Sequence, residues 1–215
     1  MNDCMIMKVL GLLARKGGAG KTTLAIHFAV MAQASGKRVL LVDLDPQRSS
    51  AGWWRARDAE TPQLVETEPD KLRDILDAAR ADGIDLVVLD TRPSVEADAV
   101  QVAMLADVIV VPTRPAILDL RAILETLSIV KGRKAHVVLN ACPAPRGTVE
   151  APAATDARQA LKAFGVPVAP ATISQRATFS HALVGGLAAT EAEPRGKAAN
   201  EMRALWRYIE KELAR

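Results

Sequence analysis

A glycine-rich segment set between an apolar run and a helical stretch places the tightest constraint on this chain. Ala14-Arg15-Lys16-Gly17-Gly18-Ala19-Gly20-Lys21-Thr22-Thr23 follows the apolar residues 9–13 and opens a helical pattern over 22–34. Glycines at 17, 18 and 20 let the backbone turn its N–H groups inward around phosphate oxygens, and the helix N-terminus adds positive potential there. Lys21 is placed to reach the β and γ phosphates, and Thr22 offers a hydroxyl to Mg²⁺. Residues 16–23, from Lys16 through Ala19 to Thr23, therefore read as a phosphate cradle. A ligand-free glycine turn is the plainer alternative, and two lysines within the loop argue against it.

Such a cradle needs a strand behind it and a helix in front, and the remaining sequence supplies more of both. Apolar β-rich runs recur over 9–13, 38–42, 86–89, 108–111, 136–139 and 166–168. They lack the alternation of a half-exposed antiparallel sheet, and their spacing leaves room for crossover helices. Helices are predicted over 22–34, 70–81, 95–105, 117–130, 153–164, 175–184 and 196–213. The fold class that follows is α/β, a mostly parallel central sheet with helices on both faces. At 215 residues and 49% hydrophobic content, the chain holds one core, so residues 1–215 read as a single domain.

The loop departs from the ordinary P-loop spacing, which wants a glycine where this chain has Arg15. The variant Lys-Gly-Gly-x-Gly-Lys-Thr fits instead, and with it the chain resembles the deviant-Walker ATPases, the ParA/MinD superfamily within the P-loop NTPases. Two further elements carry the resemblance: Leu41-Val42-Asp43-Leu44-Asp45-Pro46-Gln47, and Leu86-Val87-Val88-Leu89-Asp90-Thr91. The Asp-x-Asp-Pro-Gln form is similar to ParA. The short stretch ahead of the first strand is similar to the small ParA subgroup, which lacks an N-terminal helix-turn-helix domain.

The resemblance implies a Mg²⁺-dependent ATPase with weak intrinsic activity that closes into an ATP-dependent homodimer. In it Lys16 reaches the partner's phosphates, Asp45 orients the attacking water, Asp90 holds Mg²⁺ through a water, and Asp43 is a switch residue near the metal. It also implies that Asn140 contacts the adenine, with residues 170–172 completing the base pocket. A carboxylate that caps the next helix is the alternative for Asp43, Asp45 and Asp90, and a turn asparagine for Asn140. Arg48 stands where glycine often follows Asp-Pro-Gln, and Arg92 where small residues are common. Either is a surface residue or a contact to nucleotide or partner.

Charge is divided unevenly. Residues 1–119 carry 14 basic and 17 acidic side chains, residues 120–215 carry 14 and 8. Arg158, Lys162, Arg176, Arg195, Lys197 and Arg203 in the second half are candidates for sequence-independent contact with duplex DNA, against the alternative of a solvated surface. Aromatics at 3% are too few for a platform that stacks single-stranded bases. By resemblance, the partners are non-specific double-stranded DNA and a centromere-binding or cargo-adaptor protein that stimulates hydrolysis, and the location is cytoplasmic, on the nucleoid when ATP is bound.

A MinD-like ATPase acting at membranes is the alternative. It would use the stripe Met202, Leu205, Trp206, Ile209 and Leu213 as a surface helix, whereas packing of that stripe on the core is the simpler expectation. No apolar stretch approaches the ~20 residues of a membrane span. Cys4 and Cys142 give neither a disulfide framework nor metal spacing.

Overall fold

A computed structural model describes residues 6–93 and 96–215. Cys4 and the first residue of the helix expected from 95 lie outside them. Six strands, β1 (Lys8–Leu12), β2 (Val39–Asp43), β3 (Gln63–Glu66), β4 (Leu86–Asp90), β5 (Val108–Thr113) and β6 (Ala135–Leu139), form one sheet in the order β3-β2-β4-β1-β5-β6. Every pairing is parallel. Parallel neighbours need crossovers, and the helices that make them cover both faces.

Strand residues divide between two cores by the period of two. On one face Val9, Val87, Leu89 and Val137 pack with α3 (Leu72–Ala81), α4 (Glu96–Leu105), α5 (Ile117–Ile129) and α6 (Pro152–Lys162). On the other, Leu10, Leu12, Leu86 and Val88 meet α1 (Lys21–Ala34), Trp53 of α2 (Ser49–Arg55), Phe179 of α7 (Ala177–Val184), α8 (Ala189–Ala192) and α9 (Lys197–Leu213). The α9 stripe Met202, Leu205, Trp206, Ile209 and Leu213 is buried in this second core, so it is packing and not a membrane face. No helix among the described residues is long and apolar enough to cross a membrane.

Three expectations are corrected. The run 166–168 makes only a single bridge, Val137 with Val168, because Pro167 has no N–H to extend the ladder. The missing strand is β3, a short edge between Pro62 and Thr67 whose two apolar residues give no buried run. The helix expected from 175 begins at Ala177, since Ser174 is held extended by a bridge to Cys142.

Register sets the functional edge. Leu12 pairs with Asp90, and Asp90 pairs with Asp43, so the carboxyl ends of β1, β4 and β2 lie side by side. The order reverses at β1, which lies between β4 and β5. A crevice outside the strand ends at such a reversal is where α/β sheets bind ligands.

Candidate nucleotide site

The loop from β1 to α1 lies at that reversal. Gly18 at φ 71° and Gly20 at φ 100° occupy the left-handed region that only glycine enters freely. No side chain caps the start of α1, so its first N–H groups are free for an anion. Lys21 is buried, with Nζ donating to the Ala14 carbonyl at 3.3 Å. Burial pulls its pKa down, while the charges of Asp90 and Asp45 oppose that shift.

Asp90 is fully buried at the end of β4. Ser50 Oγ donates to its Oδ2 at 2.8 Å, and Oδ1 is buried with no hydrogen-bond partner among the described residues. Burial pushes this carboxyl up to about 7, against the lowering influence of the Ser50 and Thr22 hydroxyls and of Lys21. An unpaired buried carboxylate oxygen beside a threonine hydroxyl fits a hydrated Mg²⁺, which binds through few carboxylates and keeps its waters. Ser50 was not singled out from sequence; a hydroxyl a few residues past Asp-Pro-Gln is the signal that could have found it.

Asp43 shapes the turn in front of the site. Its Oδ1 accepts the Asp45 N–H at 3.0 Å and its Oδ2 the Ala51 N–H at 3.0 Å. Both oxygens thus serve the backbone that presents Asp45 and starts α2, the capping alternative given above. Asp45 is half-buried, and its Oδ1 accepts the Gln47 N–H at 2.9 Å.

The two arginines near the switch are pins. Arg48 adopts φ 51°, the conformation a glycine would take there, and donates to the carbonyls of Asp43 at 2.8 Å and Thr67 at 3.1 Å. Arg92 pairs with Asp98 of α4 at 2.6 Å. Each ties a strand end to a neighbouring segment.

Asn140, immediately after β6, donates its Nδ2 to the Ala19 carbonyl at 2.7 Å and so braces the loop from outside. It lines a cleft of about 320 Å³ with Gly18, Gly20, Thr23, Arg114, Gln175 and Phe179, among others. The wall beyond Asn140 is Ser174–Arg176 and not residues 170–172, where Ala171 packs into the core and Pro170 accepts from Arg158. Arg114, exposed and donating to the Gly18 carbonyl at 2.7 Å, was also missed; a cation just past a strand end is its signal. A larger groove of about 810 Å³ lies between α1 and α9, away from the loop.

The basic candidates sort by their partners. Arg158 pairs with Glu150 at 2.9 Å and donates to the Ala169 carbonyl at 2.6 Å. Arg176 bonds Glu201, which raises its pKa, and Arg203 donates to the Pro194 carbonyl at 2.6 Å. Lys162, Arg195 and Lys197 are exposed and form no ion pair among the described residues. Residues 131–134 lie at the other end of the sheet, where Ile109 N–H bonds the Lys134 carbonyl ahead of β6.

Compared with known proteins, residues 11–187 match the CobQ/CobB/MinD/ParA nucleotide binding domain. Maintenance of carboxysome distribution protein A of Gloeobacter kilaueensis is 36% identical over 97% of this chain and 94% of its own. The protein of that name from Halothiobacillus neapolitanus is 32% identical over 86% and 87%. Among solved structures, the septum site-determining protein MinD of Pyrococcus horikoshii complexed with Mg-ADP superposes with a TM-score of 0.76 at 17% identity, covering 96% of this chain and 97% of that one.

Proposed function

Because the chain belongs to the CobQ/CobB/MinD/ParA family of nucleotide-binding domains, and with it to the ATPases that use ATP and Mg²⁺, we propose that it is a ParA-type positioning ATPase that carries its cargo over DNA. Gly17 to Thr23 would surround the phosphates of ATP, Thr22 and, through a water, Asp90 would hold Mg²⁺, and Asn140 would face the base. When bound, Mg²⁺ supplies charge neutralisation at the phosphates. Lys21 contacts the phosphates of its own protomer, Asp45 holds the attacking water, and Asp43 acts by fixing the turn that carries Asp45. Two protomers close face to face, each Lys16 reaching the other's phosphates in the manner of an arginine finger.

The closed dimer binds duplex DNA without sequence preference, and an adaptor protein on the cargo stimulates hydrolysis and release. The observation that carries this reading is the likeness, over most of both chains, to two proteins named for carboxysome distribution. A carboxysome or a comparable cargo is therefore favoured over a plasmid. Burial of the α9 stripe removes the feature that would have supported action at a membrane.

Retention on DNA tests the carrier role. With ATP and Mg²⁺ the protein is expected to bind random-sequence duplex, and with ADP to flow through. The three DNA-contact candidates that form no ion pair among the described residues, Lys162, Arg195 and Lys197, give about six phosphate contacts per dimer. Affinity should then fall about 10³-fold between 50 and 200 mM salt. Absence of ATP-dependent, salt-sensitive retention sinks the DNA-carrier role.

A further inference from the structure

The two lysines of the loop are held differently. Lys21 is buried against the loop's own backbone, whereas Lys16, about half exposed, gives its Nζ to Asp119 Oδ2 at 2.8 Å. The Asp119 side chain is only 8% exposed and lies in the first turn of α5. The same helix also grips Arg15: its N–H reaches Thr126 Oγ1 at 3.3 Å, and its Nε pairs with Glu125 at 2.9 Å. Just ahead of α5, Arg114 holds the Gly18 carbonyl. The β5–α5 segment thus holds Arg15, Lys16 and Gly18, the residues that would face a second protomer.

We propose that Asp119 is a positioning residue for Lys16, keeping its ammonium on its own protomer until the phosphates of a second protomer compete for it. The inference rests on the reading that Lys16 acts across a dimer. Transfer of Lys16 would leave the Asp119 carboxylate in a nearly dry site, with no other ion pair to it among the described residues. Removing one partner of a buried pair is unfavourable for the charge left behind. The α5 N-terminus, which favours negative charge, lowers that penalty without removing it.

ATP, with its extra phosphate charge, outbids the carboxylate more readily than ADP does. The Lys16–Asp119 pair therefore raises the threshold for dimer closure and sharpens discrimination between the two nucleotides.

Asp119→Asn keeps the shape and removes the charge. Its ATP concentration for half-maximal dimerisation, followed by light scattering, is expected to fall about fivefold, with a larger shift in half-saturating ATP than in saturated turnover. ADP should begin to support dimers. Asp119→Glu, which keeps the charge, should stay close to wild type, and thermal melts of both variants establish that they fold. Combined with Lys16→Ala, Asp119→Asn should add nothing.

An unchanged midpoint in a folded Asp119→Asn, or loss of its dimer, overturns the proposal, as does a shift that persists without Lys16. The two readings separate through Lys16→Ala alone. If it hydrolyses ATP like wild type, the action of Lys16 across the dimer fails and this inference fails with it. If it is inactive while Asp119→Asn leaves the midpoint unmoved, only the role of Asp119 fails.

Discussion

Lys16→Ala is expected to lower the turnover number for ATP by about 10³-fold or more, the scale on which a cation supplied in trans accelerates phosphoryl transfer. In the single protomer Lys16 is held by Asp119 on α5, and the buried lysine of the loop is Lys21. Removing Lys16 should accordingly spare most of the ground-state affinity for nucleotide, which rests on Lys21 and on the free N–H groups at the start of α1. An interaction made mainly in the transition state shows itself in this way, as a loss in turnover with little change in binding. Steady-state hydrolysis and a fluorescent-nucleotide titration on the same preparation measure both quantities. Near-wild-type turnover would remove Lys16 from the mechanism, and an equal loss of binding would move it to the ground state.

Gly20→Ala should abolish the site by a different route. Gly20 is at φ 100°, and a β-carbon built on it lies 2.0 Å from Asn140 Nδ2. That nitrogen is fixed by its bond to the Ala19 carbonyl, so the methyl must either expel Asn140 from the loop or twist the loop itself. Backbone strain of this kind is worth roughly 1–3 kcal/mol before the steric clash is added. Nucleotide affinity is expected to fall by about 100-fold or more, with a measurable drop in thermal midpoint. Asn140→Gly in the same chain would relieve the clash but not the strain, restoring part of the midpoint. Wild-type binding by Gly20→Ala would mean that the loop is not held in this conformation when nucleotide is bound.

The legible parts of the fold and the site are those whose causes lie close together in sequence. The loop from Lys16 to Thr23 announces itself because glycine, lysine and threonine must follow one another between a strand and a helix. The ends of β2 and β4 are legible because Asp43 and Asp90 close uninterrupted apolar runs, where a carboxylate is costly unless it faces a polar cleft. Strand β3 escaped because an exposed edge of four residues buries too little to leave an apolar run.

Asn140 is legible as a polar residue closing an apolar run, but its bond to the Ala19 carbonyl spans 121 residues and no local pattern encodes it. The pairing of Lys16 with Asp119 is hidden in the same way, by a separation of 103 residues. Arg48 shows the converse: its left-handed backbone is the local requirement that a glycine would meet, and its side chain is free to pin Asp43 and Thr67 because the turn already fixes its direction.

The mass of the protein in solution tests most directly whether it is an ATP-switched dimer. Asp45→Ala, which should stop hydrolysis without disturbing the loop, serves as the trapped form beside wild type. In sedimentation equilibrium with ATP and Mg²⁺, Asp45→Ala is expected to run at twice the 23.0 kDa protomer. With ADP, or without nucleotide, both proteins should run as single protomers. A protomer mass for Asp45→Ala at saturating ATP, or a dimer indifferent to nucleotide, would contradict the account.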